Sequence, residues 1–119
     1  MILVVDDDEE LLEQAQEILN RNRQVFLASD ADRAFELARE LGFPVALVDL
    51  DLPGEDGFAL IRKLRDTVPE LSIIVISSAL HSLTLEDARK LGAVEMLKKP
   101  ITPDWKPVVE RVRERRSNG

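Results

Sequence analysis

The chain has 119 residues, the size of one domain, and 45% of them are hydrophobic, enough for a single core. Its 23 acids outnumber 16 lysines and arginines, and the formal charge of −7 argues against nucleic acid as the direct partner of this domain, because phosphate binding needs a basic face. No cysteine is available for a disulfide or a thiolate metal site, and the apolar runs are too short for a membrane span or a signal-peptide core, so a soluble, cytoplasmic protein without a membrane partner is expected.

The first apolar run, ILVV (2–5), reads as a strand and ends in Asp6, Asp7 and Asp8. Leu11, Leu12, Ala15, Ile18 and Leu19 then share one helical face. VFLA (25–28) is the second strand and ends in Ser29 and Asp30, the latter a candidate helix N-cap. Ala31, Ala34, Phe35, Ala38 and Leu41 mark the second helix, with Gly42 placed where a helix C-terminus wants a left-handed residue. VALV (45–48) is the third strand, followed by Asp49, Asp51 and the turn residues Pro53 and Gly54. Gly57 is expected to supply a positive φ before a third helix carrying Leu60, Ile61 and Leu64.

IIVI (73–76), the fourth strand, ends in Ser77 and Ser78. Thr84 is a candidate cap for a helix with Leu85, Ala88 and Leu91 on one face and Gly92 at its end. VEML (94–97), the fifth strand, leads into Lys98, Lys99 and Pro100. Asp104 is a candidate cap for the last helix, whose Trp105, Val108, Val109 and Val112 recur at helical spacing with Pro107 in the first turn. The charged tail RVRERRSNG would suit a linker toward a further domain.

Consecutive apolar residues suit strands buried on both faces of a parallel sheet, and their alternation with helices predicts a single doubly wound α/β domain of (βα)₅ type. In such sheets chemistry sits beyond the carboxyl ends of the strands, where strand order reverses. A 2-1-3-4-5 order would bring Asp6 and Asp7 to Asp49 and Asp51. Crowded carboxylates repel unless a cation joins them, and hard oxygen ligands with positions left for water suit Mg²⁺. The hydroxyl of Ser77 and the ammonium of Lys99 suit phosphoryl oxygens. The set reads as a site where a carboxylate takes a phosphoryl group.

Asp6-Asp7, Asp49 followed by LDLPGEDG, Ser77 and then KKP resemble, in order and spacing, the receiver domain of bacterial two-component response regulators. The resemblance spans essentially the whole chain, 1–119, and implies a CheY-like, flavodoxin-like fold. It implies that Asp49 accepts a phosphoryl group from a sensor histidine kinase or a phosphotransfer protein, after which the domain switches conformation. It implies a Mg²⁺ site of Asp6, Asp7 and Asp49, Asp6 through water, with the backbone carbonyl of Asp51 as a further ligand. Ser77 would bond a phosphoryl oxygen, and Lys99 would pair first with the acceptor carboxylate and then with the phosphoryl group. Lys99–Pro100 matches a peptide bond that is cis in the family, a geometry tolerable only before proline, which would turn the lysine into the site. The domain would be a signalling switch and not an enzyme in the ordinary sense.

Asp8, Glu9 and Glu10 read as an acidic helix start, Ser78 and Lys98 as the bland neighbours of Ser77 and Lys99, and His81 as a surface residue. Two features depart from the resemblance. Met96, three residues before Lys99, stands where the family often has Tyr or Phe, and GAVEMLKKP lacks the DDY of regulators that dimerise through helix 4, strand 5 and helix 5. Two other readings compete. Hydrophobics followed by D-x-D also open phosphatases of the haloacid-dehalogenase type. There Asp49 would be the nucleophile and Asp51 the general acid, but the chain is short, Leu52-Pro53 departs from the usual Thr or Val, and Asp6-Asp7 goes unexplained. A receiver-like binding module without phosphorylation usually lacks the acceptor, the acids or the lysine, and all are present here.

Overall fold

The computed structural model describes residues 1–20, 24–52, 57–78 and 82–118, so the expectations for Pro53, Gly54 and His81 fall outside the described residues. Strands β1 (Ile2–Val5), β2 (Val25–Ala28), β3 (Val45–Asp49), β4 (Ser72–Ser77) and β5 (Glu95–Lys98) alternate with helices α1 (Glu9–Leu19), α2 (Ala31–Glu40), α3 (Gly57–Thr67), α4 (Leu85–Leu91) and α5 (Trp105–Asn118). The strands pair in parallel in the order β2-β1-β3-β4-β5. Side chains alternate across a strand, so each strand feeds two cores. Ile2, Val4, Leu47, Ile74 and Ile76 pack with Leu11, Leu12, Trp105 and Val109 of α1 and α5. Leu3, Val5, Ala46, Val48, Ile73 and Val75 pack with Leu37, Leu60, Ile61, Leu64 and Ala88 of α2, α3 and α4. The doubly wound arrangement follows the sequence expectation, with helices on both faces.

The expectation that every strand is buried on both faces fails at the two sheet edges. β1 and β3 are buried throughout, and β4 everywhere but at Ser72. In β2 only Ala28 is buried, Leu27 is 37% exposed, and no residue of β5 is fully buried. An edge strand lacks a neighbour on one side, whatever its composition. Boundaries shift too. β3 and β4 run one residue further than the apolar pattern, because Asp49 pairs with Ile76 and Ser77 with Lys98 in the ladders. Asp49 and Ser77 are therefore the last residues of their strands. β5 starts at Glu95, and Val94 ahead of it is 38% exposed although its amide donates to the Ile73 carbonyl.

Local signals account for most helix ends. The Asp8 carboxylate caps α1 by accepting from the Glu10 and Leu11 amides. Asp30 caps α2 by accepting from the Arg33 amide, and Thr84 forms a capping box with Asp87 at the start of α4. Gly92 ends α4 in the left-handed conformation, at φ 109°. Gly42 does not do so for α2. That helix ends at Leu41 in an extended conformation, which sends Phe43 straight into the core. At α5 the cap expected of Asp104 gives way to Thr102, whose hydroxyl accepts from the Asp104 amide and whose carbonyl accepts from Trp105.

Gly57 adopts no positive φ; it is the first residue of α3. It must be glycine for another reason. A Cβ there would lie 2.7 Å from the Leu50 Cα and oxygen and 2.8 Å from the Asp49 oxygen. The missing side chain lets α3 press against the backbone that carries Asp49. Among the described residues, no helix is long and apolar enough to cross a membrane.

Candidate functional site

β1 and β3 are neighbours at the middle of the sheet, with Val5 opposite Val48. The next residue on each strand is an acid, so Asp6 and Asp49 stand side by side. Both are shielded from water, at 0% and 1% exposure, while Asp7 is exposed. One carboxylate oxygen from each of Asp6, Asp7 and Asp49 lies within 4.8 Å of the others.

The two buried acids are held in the same way. The Asp8 amide donates to Asp6 Oδ1 at 2.9 Å, and the Asp51 amide donates to Asp49 Oδ1 at 3.1 Å. Each is an amide two residues downstream, so each strand end curls around its own carboxylate. Sequence reasoning assigned Asp8 only to the helix start. Its amide also orients Asp6, and the signal for this was the i to i+2 turn habit of aspartate.

Lys99 enters from the far side of the sheet. Its amide donates to the Ser77 carbonyl at 2.9 Å, and the Lys99–Pro100 bond that follows is cis. The ammonium lies 3.0 Å from Asp6 Oδ2 and 3.3 Å from Asp49 Oδ2. Its contact with Asp49 is a hydrogen bond. The shorter contact with Asp6 is an ion pair that is not aligned as a hydrogen bond.

The electrostatics follow from burial and crowding. Burial, reinforced by the charge of Asp49, pushes the Asp6 carboxyl up to about 6, against the opposing pull of the Asp8 amide and of Lys99. For Lys99 burial alone would lower the pKa. Its close contact with Asp6 and the charges of Asp6 and Asp49 outweigh that, and the net direction is upward. Two buried acids thus share one ammonium, with the exposed Asp7 beside them. A surplus of hard oxygen donors, one of them open to solvent, fits a divalent cation such as Mg²⁺.

Ser77 closes the β4 side. It is 0% exposed, and its hydroxyl has no hydrogen-bond partner among the described residues. A buried polar atom without a partner marks a place where another group is expected. Asp51 is exposed beyond β3, Lys98 is exposed, and Ser78 is half-buried. Met96 is half-buried on β5 and packs against the core beneath α2 and α3. Beside the acids, Asp8, Gln14, Ser78, Lys99 and Pro100 line an open cavity of about 390 Å³. A larger one of about 520 Å³ lies at the opposite end of the sheet, between the end of α2 and residues 67–70, and holds none of these groups.

Residues 2–106 match the response regulator receiver domain family. A response regulator receiver protein of Anaeromyxobacter sp. (strain Fw109-5) is 33% identical over 100 residues, which is 83% of this chain and 42% of the relative. A two-component response regulator of Arabidopsis thaliana is 34% identical over 118 residues, 92% of this chain and 31% of that protein. The chain thus spans less than half the length of these curated relatives. The crystal structure of the receiver domain of NtrX from Brucella abortus superposes with a TM-score of 0.87 at 30% identity, covering 96% of this chain and 98% of that one. The match runs from β1 into the start of α5 and takes in every strand, and the chain belongs to the response regulator receiver domain family.

Proposed function

We propose that residues 1–119 form one Mg²⁺-dependent phosphoacceptor domain in which Asp49 takes a phosphoryl group from a phosphohistidine. The donor would be a cytoplasmic sensor histidine kinase or a phosphotransfer protein. The observation that carries the reading is the Lys99 ammonium spanning two buried carboxylates, 3.0 Å from Asp6 and 3.3 Å from Asp49.

Asp6, Asp7 and Asp49, with the backbone carbonyl of Asp51, would hold the metal. A divalent cation there supplies positive charge that offsets the crowded acids and the incoming phosphoryl oxygens. The residues themselves do the rest. An Asp49 oxygen forms the new O–P bond as the P–N bond of the phosphohistidine breaks, and the electron pair leaves on the imidazole nitrogen. The Asp51 amide, which donates to Asp49 Oδ1, keeps the carboxylate oriented for that attack. Lys99 transfers its hydrogen bond from the carboxylate to the phosphoryl group. The unpartnered Ser77 hydroxyl gains an acceptor in a phosphoryl oxygen, a contact made only in the phosphorylated state, and so biases a conformational equilibrium.

The test is phosphorylation in vitro with a small phosphodonor, with and without Mg²⁺, followed by location of the modified residue. Modification of Asp49 that requires the metal and disappears in Asp49→Asn is the expected result. Phosphate on a serine, or equal labelling of Asp49→Asn, would overturn the assignment; no labelling at all would favour a binding module. Mg²⁺ alone should also raise the melting temperature, by about 2.7 kcal/mol of stability at a hundredfold excess over Kd. Asp7→Ala should abolish that rise.

A further inference from the structure

Helix α4 is poorly anchored by apolar packing. Of its seven residues only Ala88 is buried. Its position depends on its ends. At the N-terminal end the capping box of Thr84 and Asp87 is internal to the helix and ties it to nothing else. At the C-terminal end the ties run outward. The Val94 amide just beyond it joins the Ile73 carbonyl of β4 at 2.8 Å, and Arg65 of α3 donates from Nη1 to the Leu91 carbonyl at 3.2 Å.

Arg65 does more than touch a carbonyl. Its Cδ and Nε fill the space that a Cβ on Gly92 would occupy, so the arginine lies flat across the glycine. Gly92 is needed here twice, for its φ of 109° and for the room it gives Arg65. The guanidinium also sits where the helix dipole presents its negative end. α4 is therefore fastened at Leu91–Gly92 by a hydrogen bond to α3, while ahead of its other end, nearer to Ser77 along the chain, Leu83 rests half-buried against the core.

We propose that Arg65 is a positioning residue that clamps α4 from its C-terminal end and holds it in the resting arrangement of the switch. The hydrogen bond to the Leu91 carbonyl ties α4 to α3, and a switch that displaces α4 has to release it. Ser77 at the end of β4 pulls the other way once it has a phosphoryl oxygen to bind. The clamp is a property of the free domain; its bias on switching rests on the function proposed above.

Amide exchange and beryllofluoride titration in Mg²⁺, on the full chain, separate the two. The variants are Arg65→Gln and, as a control of equal charge on an exposed position of the same helix, Arg62→Gln. Arg65→Gln should speed exchange of the α4 amides in metal-free protein by about three- to tenfold, the factor one net hydrogen bond supplies. The α3 and β4 amides should not change. The same variant should reach half-saturation at a lower beryllofluoride concentration by a similar factor, because more of the free protein is already competent. A merely structural role would leave that affinity unchanged or weaken it. Gly92→Ala, which evicts the arginine, should repeat the faster exchange, and Arg62→Gln should match the wild type. Unchanged α4 exchange in Arg65→Gln overturns the clamp, and faster exchange with unchanged beryllofluoride affinity overturns its bias on the switch. If the wild type ignores beryllofluoride altogether, the proposed phosphoacceptor function fails, while the exchange measurement still decides whether Arg65 clamps α4.

Discussion

α3 and α4 lie on the same face of the sheet and are built on opposite principles. α3 buries Leu60, Ile61 and Leu64 completely and closes on β3 through Gly57. Three such side chains are worth roughly 5–9 kcal/mol of burial, whereas the one buried methyl of Ala88 is worth less than about 1 kcal/mol. α3 cannot move without opening cavities. α4 is placed by end contacts of about 1 kcal/mol each, which can be exchanged for others at little net loss. The strands divide in the same way, since β1 and β3 are wholly buried and β5 is not. The acids of the site stand on the rigid part, and Lys99 reaches them from the loose part. The function proposed above, with its acceptor carboxylate held fixed while another surface responds, has use for that division.

The contrast is open to experiment, most strongly in the core. Leu64→Ala should lower the unfolding free energy by about 2–5 kcal/mol in urea denaturation. Ala88→Gly should lower it by only about 1 kcal/mol. Equal losses would remove the difference between the two helices.

Asp6 tests the rigid side through pH. Its folded pKa of about 6 lies above the ordinary 3.8, so the folded state holds the proton more tightly. The stability this contributes is complete below about pH 4 and is lost as pH rises through about 6, on the order of 3 kcal/mol in metal-free protein. Chemical denaturation across that range should show the loss, and Asp6→Asn should flatten it. A wild-type curve that Asp6→Asn leaves unaltered would show that burial of this carboxyl does not strain the centre of the sheet.

Gly57→Ala should be worse than its size suggests, by about 1–3 kcal/mol, because backbone and not a flexible side chain stands in the way. Gly42→Ala, with nothing within 4 Å, is the matched control and should be near neutral in the same melts. On the loose side, Thr84→Ala should cost about 1 kcal/mol. Exchange should report that loss in α4 amides and not in α3. The smallest effect belongs to the Arg111–Glu95 pair, 3.4 Å long with the arginine 52% exposed. Solvent screening leaves it at most about 0.5 kcal/mol, so Arg111→Gln should barely shift the melting temperature.

Much of this was legible in the order of residues. Five apolar runs, four of the helix-end signals at Asp8, Asp30, Thr84 and Gly92, and acids at the ends of the first and third strands all lie in stretches of a few residues. Periodicity, capping and turn preference act over that range, so the doubly wound class and the meeting of Asp6, Asp7 and Asp49 could be reasoned out from them. Tertiary structure alone decided which strands became edges, because ILVV and VFLA look alike until one acquires neighbours on both sides. It decided that Gly57 serves close approach and not a positive φ, since the obstacle is the backbone of Leu50. It decided that Arg65 meets Gly92 across two helices, and that Lys99 bonds an aspartate 50 residues away. These are contacts between segments, and no local preference carries the distance between side chains that only the packed sheet brings together.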